Sequence, residues 1–163
     1  LSPVNLLSLV LHVRSFVEHA IEEKKVRVTV DISDSLPKLL GDRDLLQQVF
    51  INLFLNSLQS AKPGGAIKVQ AQFPAEEGVV PVVTNGAERC RISFEDNGAG
   101  IMLEHIGQVF DPFFTTKDVG EGTGLGLSVT YGIIKEHGGD IHVESEPGKF
   151  TRFIIDLPIT VPL

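Results

Sequence analysis

Apolar residues at three- and four-residue steps open the chain. Leu6, Val10, Val13, Val17 and Ile21 give residues 4–23 the period of one amphipathic helix, and Pro3 suits its start. The pattern then alternates. Val26, Val28, Val30 and Ile32 predict a half-buried strand, followed by a turn over 33–37 and a short apolar Leu39-Leu40. A second helix is predicted from an N-cap at Asp42. Leu45, Val49 and Leu53 form its stripe, flanked by Leu46, Phe50 and Leu58, and Lys62-Pro63-Gly64-Gly65 stops it. Alternation returns over 66–73 and 89–94. The stretch 74–88 between them, rich in proline, glycine and glutamate, reads as a loop or extended hairpin without assigned chemistry. A third helix is predicted over 125–137, stopped by Gly138-Gly139. Strands over 140–145 and 150–157 follow, joined by Glu146-Pro147-Gly148, and Pro158 is expected to end the sheet.

Three helices and about five strands, the last two at hairpin spacing, fit an α+β fold. The expected architecture is a two-layer sandwich with the helices on one face of a mixed, mostly antiparallel five-stranded sheet. The 163 residues suffice for one domain, and no internal repeat or second domain is visible.

Charge narrows the partners. A formal net charge of −7 argues against nonspecific binding to nucleic acid or to an anionic membrane. Cys90 is the only cysteine, so neither an internal disulfide nor a cysteine-based zinc site is possible; its alternating neighbours make it a core residue. Residues 1–16 are apolar, but Asn5, His12 and Arg14 interrupt them and they fall short of a span. His12 and His19 have no metal-ligand companions and read as surface or boundary residues. A cytoplasmic, monomeric domain is expected, within a parent chain that is either soluble or membrane-anchored. The start at Leu1, without methionine, fits a piece of something longer.

The candidate chemistry lies between Asp96 and Leu127. Asp96-Asn97-Gly98-Ala99-Gly100 opens this stretch and Gly122-Thr123-Gly124-Leu125-Gly126-Leu127 closes it. Phe110-Asp111-Pro112-Phe113-Phe114-Thr115-Thr116-Lys117 lies between. Glycine permits positive φ and close backbone approach, and a glycine cluster running into a helix presents N–H groups suited to phosphate. The order fits a lid, over about 98–124, covering a nucleotide. No Gly-x-x-x-x-Gly-Lys-Ser/Thr occurs, and the second cluster lacks the spacing and the preceding strand of a dinucleotide fingerprint. Asn52 and Asn56 add to this. Spaced i, i+4, they project from one face of the second helix, with Gln59 near the same side. Asparagine is a poor mid-helix residue, so the pair is either structural amides with partners or neutral oxygen ligands for magnesium.

With these residues in view the chain resembles the ATP-binding catalytic domain of sensor histidine kinases, of a superfamily shared with gyrase, MutL and the large heat-shock chaperone. Gln48-Val49-Phe50-Ile51-Asn52-Leu53-Phe54-Leu55-Asn56 is similar to the N box and Asp96–Gly100 to the first glycine box. Residues 110–117 are similar to the F box, in the Phe-Phe-Thr-Thr-Lys version of nitrogen-regulation and dicarboxylate-sensing kinases. Gly122-Thr123-Gly124-Leu125-Gly126-Leu127 is similar to the second glycine box. Four motifs in order are far more specific than one.

The resemblance implies a Bergerat-type fold that binds ATP with Mg2+. The γ-phosphoryl would pass to a histidine on a separate dimerisation domain, upstream of a response regulator. Asp96 would accept from the adenine amino group, supported by Thr151. Asn56, assisted by Asn52, would hold magnesium, with Gln59 near the phosphates. Gly98, Gly100 and Ile101, then Thr115, Thr116 and Lys117, then Gly122, Thr123, Gly124, Leu125, Gly126 and Leu127 would complete the ATP site. Phe150 departs from the family's usual glycine, so the turn before Thr151 is expected to differ. Asn52 stands where the ATPase branches place a glutamate base, so water activation should be poor. Neither His12 nor His19 has the His-Glu-x-x-x-Pro setting of an acceptor, so the acceptor helices are expected outside this sequence. A noncatalytic nucleotide-dependent module and an anti-sigma-factor serine kinase remain as alternatives.

Overall fold

The computed structural model of the chain describes residues 1–73, 88–114 and 126–159. Its order is β1 (Ser2–Val4), α1 (Leu6–Phe16), α2 (Glu18–Lys24), β2 (Arg27–Asp31), β3 (Leu39–Gly41) and α3 (Arg43–Ser60). Then come β4 (Ala66–Gln72), β5 (Arg89–Asp96), a 3-10 turn at Ile106–Gln108, α4 (Gly126–Glu136), β6 (Asp140–Glu146) and β7 (Phe150–Pro158).

The main sheet runs β2-β4-β5-β7-β6. Only β2 and β4 pair in parallel; the other three contacts are antiparallel. This is the expected mixed, mostly antiparallel sheet. Three features differ from the sequence reading. The single helix over 4–23 is two, because Val17 has φ −105° and ψ 7° and caps α1 instead of continuing it. A small second sheet pairs β1 with β3, seating the short Leu39-Leu40 run. Pro158 is the last residue of its strand, opposite Arg89, and not a stop before it. Its missing N–H is tolerated at a strand end.

One core joins the helices to the sheet. Along β5 the residues Cys90, Ile92, Phe94 and Asp96 share the core face, because side chains alternate. Phe94 lies between two phenylalanines of α3, stacked on Phe50 at 5.8 Å and edge-on to Phe54 at 5.2 Å. These ring contacts fix α3 over β5. They bring the C-terminal turn of the helix to the end of the strand, where Asp96 stands. Burial pushes the Cys90 thiol up to about 12, with the Asp156 charge adding to it, so the thiol is an inert core group. The other face of the sheet carries ion pairs, Arg91 with Asp156 and Arg152 with both Glu95 and Glu144. Among the described residues no helix is long and apolar enough to cross a membrane.

Candidate functional site

Asp96 ends an apolar row with a carboxylate. It is 1% exposed, and Oδ1 accepts from the Gly98 amide at 3.0 Å and the Ser60 hydroxyl at 3.1 Å. Oδ2 is also buried and has no partner among the described residues. Burial pushes the carboxyl above its ordinary value against the pull of those two donors, with the Glu95 charge adding to the rise and Lys24 opposing it weakly. An acceptor left unsatisfied in a dry place is costly unless something else supplies the donor. Asp96 therefore has the character of half a hydrogen bond awaiting its other half.

Two segments hold the loop after Asp96, the end of α3 and the β6–β7 turn. The Ser60 carbonyl accepts from the Ala99 amide at 3.3 Å, and a Cβ on Gly98 would stand 2.1 Å from that same oxygen. Glycine is required there by closeness of approach. Gly100 adopts φ +71° and its missing Cβ would lie 2.4 Å from the Glu146 carbonyl oxygen. From the β6–β7 turn, the Gly148 amide donates to the Ala99 carbonyl at 2.7 Å. Ser145 Oγ then accepts from the Ile101 amide at 2.7 Å, donates to the Phe150 carbonyl at 2.8 Å and lies 3.3 Å from Thr151 Oγ1. Thr151 is 2% exposed and is the direct cross-strand partner of Asp96. The structure thus brings Asp96, Gly98, Gly100, Ile101 and Thr151 together. In the turn before Thr151 the positive φ falls on Gly148, at 78°, and Arg152 lies over the Phe150 ring at 5.0 Å.

The second part of the site sits along α3. Asn52 and Asn56 are both half-buried, and Gln59 is exposed. Asn52 Nδ2 donates to the Gly126 carbonyl at 3.2 Å and to Thr130 Oγ1 at 3.3 Å, tying α3 to the first turn of α4. Gly126 and Leu127 open α4, with Leu127 packed against the core. Thr115, Thr116, Lys117, Gly122, Thr123, Gly124 and Leu125 lie outside the described residues, as does most of the later half of the expected lid. Of its earlier half, Phe110 is anchored, with Tyr131 at 5.6 Å and Phe153 at 6.2 Å. Phe114 lies 5.4 Å from His105, so it has a partner within the chain, while Phe113 is 72% exposed. Among the described residues no group of three His, Cys, Asp or Glu side chains is placed to hold a metal.

Ser60 and Ser145 escaped the sequence reading. Ser60 extends the i, i+4 row of Asn52 and Asn56 by one step, so the signal for it was present. Ser145 faces Thr151 across the hairpin, a register that the turn at Glu146-Pro147-Gly148 implies. Ser57, one turn before Ser60, is fully buried and its hydroxyl has no partner.

Comparison with known proteins bears on this geometry. Residues 41–161 match the model of the family described as histidine kinase-, DNA gyrase B- and HSP90-like ATPases. The sensor histidine kinase ZraS of Escherichia coli K12 is 35% identical over 161 residues, covering 99% of this chain and 32% of that protein. The signal transduction histidine-protein kinase AtoS of the same organism is 37% identical over 157 residues, covering 96% of this chain and 24% of that protein. The chain thus spans about a third or less of these relatives. The nucleotide-free catalytic domain of histidine kinase ThkA is 30% identical with a TM-score of 0.79, covering 98% of this chain and 95% of that one. Full-length ShkA, solved with AMPPNP, is 25% identical with a TM-score of 0.80, covering 99% of this chain and 31% of that one. The fold, the motif order and these matches agree: the chain belongs to the histidine kinase-, DNA gyrase B- and HSP90-like ATPase family.

Proposed function

We propose that this chain holds Mg-ATP and presents the γ-phosphoryl group to a histidine on a separate dimerisation domain, upstream of a response regulator. The observation that carries the reading is Asp96 Oδ2, a buried carboxylate oxygen without a donor. Adenine carries an amino donor where guanine carries a carbonyl, so this oxygen selects between them. Thr151 supports the contact through its hydroxyl or a water.

Asn56 and Asn52 are the candidate oxygen ligands. Asn52 Nδ2 is committed to Gly126 and Thr130, so Oδ1 is the atom of that amide that can serve a cation. Bound magnesium would supply charge neutralisation at the phosphates, as it does across phosphoryl-transfer sites. Gln59 and Lys117 lie on the phosphate side in this reading, with the amides of Gly122 to Leu127. Asn52 takes no proton near neutral pH, so it cannot activate water, which favours transfer to an acceptor over hydrolysis. A solved complex of ThkA with the response regulator protein TrrA, 27% identical with a TM-score of 0.75, supports placing a regulator downstream. The domain is read as cytoplasmic and, isolated, monomeric.

Radiolabelled ATP tests this. The chain alone should bind ATP without labelling itself. Adding the dimerisation domain of its parent kinase should place an acid-labile, base-stable label on the added domain. Stable label on the isolated chain, or none on the mixture while ATP is bound, would instead support a noncatalytic nucleotide module.

A further inference from the structure

The C-terminal turn of α3 does more than end a helix. Its Ser60 hydroxyl holds Asp96 Oδ1, and its Ser60 carbonyl carries the Ala99 amide against Gly98. Yet α3 has no basic residue in its last turn, and its last carbonyls need donors from elsewhere. The cation comes from a different helix. Lys24, the last residue of α2, reaches across with Nζ to donate to the carbonyls of Leu58 and of Gln59, the latter at 3.3 Å. Its own carbonyl accepts from the Gly64 amide at 3.4 Å, in the connection leaving α3. Lys25, the next residue, ends α2 at φ 57°, a conformation that lysine adopts at a cost.

We propose that Lys24 is a positioning residue for adenine selection, fixing the turn of α3 that supplies Ser60 to Asp96. This rests on the reading of Asp96 given above. Lys24 touches the carbonyls one and two residues before Ser60, and so acts through Ser60 rather than on the base. Among the described residues, the groups that act on the Asp96 carboxyl are the Ser60 hydroxyl from α3, the Gly98 amide from its own loop, the Glu95 charge beside it and the Lys24 charge from α2, with Thr151 opposite on β7. Glu95 is paired with Arg152 on the far face. Lys24 is thus the one cation in this group on the side of α3, at a helix end whose partial negative charge it also offsets.

The test compares ATP with GTP, because the ratio of their affinities cancels any loss from partial unfolding. Both are titrated by NMR into the 163-residue chain with magnesium. Lys24→Met should weaken ATP about three- to tenfold, the range of one displaced hydrogen bond, and leave GTP unchanged. Lys24→Gln, which keeps a donor without charge, should lose less, and Lys24→Arg should restore most of the ratio. Ser60→Ala should reproduce the Lys24→Met loss, and the double variant should lose no more than the worse single one, as two steps of one path do. Equal weakening of ATP and GTP, no weakening, or additive losses would overturn the role of Lys24. Asp96→Asn in the same series separates the two failures. If it abolishes the ATP preference while the Lys24 variants do not, only Lys24 is wrong. If it too leaves the preference intact, the reading of Asp96 falls, and this inference with it.

Discussion

Around Asp96 three segments of chain hold one another: the end of α3, the loop from Gly98 to Ile101 and the β6–β7 turn, joined by bonds of 2.7–3.3 Å. Around Phe113 the described chain is held by Phe110 on Tyr131, by Phe114 on His105 and by turn bonds such as the Phe114 amide to the Asp111 carbonyl at 3.3 Å, and the Phe113 ring is 72% exposed. Under the proposed function the difference is one of purpose. A carboxylate that must tell one base from another needs its geometry fixed before the base arrives, so that ordering is not charged to binding. A segment that meets a partner must keep its contact surface uncovered. The molecule places the fixed part on strand and helix ends and the uncovered part on a loop.

Gly98→Ala attacks the fixed part most directly. The new methyl would stand 2.1 Å from the Ser60 carbonyl oxygen and 2.9 Å from the Ala61 nitrogen, all backbone. A loss of about 3 kcal/mol in urea unfolding is expected, at the upper end of overpacking costs, together with loss of ATP binding. A variant as stable as the parent would mean that the α3 end yields easily, and the contrast between the two regions would weaken.

Asp96→Asn should divide stability from function. ATP affinity should fall by about 1.5–3 kcal/mol, as for a hydrogen bond to a charged group, with calorimetry as the measure. The nucleotide-free protein should move the other way as pH rises. The folded pKa of Asp96 lies above its unfolded value, so the folded state binds that proton more tightly. The stability this gives is present at acid pH and is lost as pH rises through the unfolded and then the folded value. Asparagine carries no such loss. The stability difference between variant and parent should therefore shift in favour of the variant as pH is raised from the acid side, in urea titrations without nucleotide. A difference constant with pH would show that Asp96 has another partner.

Much of this was legible beforehand, and the reasons are local. The alternation over 66–73 and 89–94 and the three-to-four spacing after Asp42 give one helix over one sheet, because burial imposes those periods. The break at Val17 was not legible, since Val13, Val17 and Ile21 keep helical spacing across it and all three are buried on the same core. The glycines and Asp96 announced themselves by residue type. Ser60, Ser145 and Lys24 did not by type: spacing after Asn56 and the hairpin register mark where the two serines lie, but their partners are distant in sequence, Asp96 for Ser60, Ile101 for Ser145 and the Leu58 carbonyl for Lys24. A serine or a lysine is ordinary until its partner is known.

Asn52 and Asn56 allow a smaller test on the α3 side. Asn52→Ala removes two bonds to α4 and should cost about 1 kcal/mol of stability. Asn56→Ala has no such tie among the bonds described. Its effect should appear as weaker ATP binding in magnesium than in EDTA, relative to the parent. Equal weakening in both would return Asn56 to the structural alternative.

The smallest expected effect on stability is at Phe113, and it sharpens the comparison most. This residue sits at φ 65°, where a bulky side chain is strained, and the exposed ring gains little from packing. Phe113→Gly should therefore leave the fold unchanged or raise its stability by up to about 1 kcal/mol, since glycine occupies that conformation freely. ATP affinity should stay within about twofold, because nothing ties the ring to Asp96 or Asn52. Transfer to an added dimerisation domain should slow much more, as it should for Phe113→Ala, where the strain stays and only the ring goes. The two variants together separate backbone from ring: equal slowing assigns the effect to the lost ring, and slowing by glycine alone assigns it to the backbone. If both variants transfer phosphate at the parental rate, the exposed ring is not a docking contact, and exposure around Phe113 would need another account.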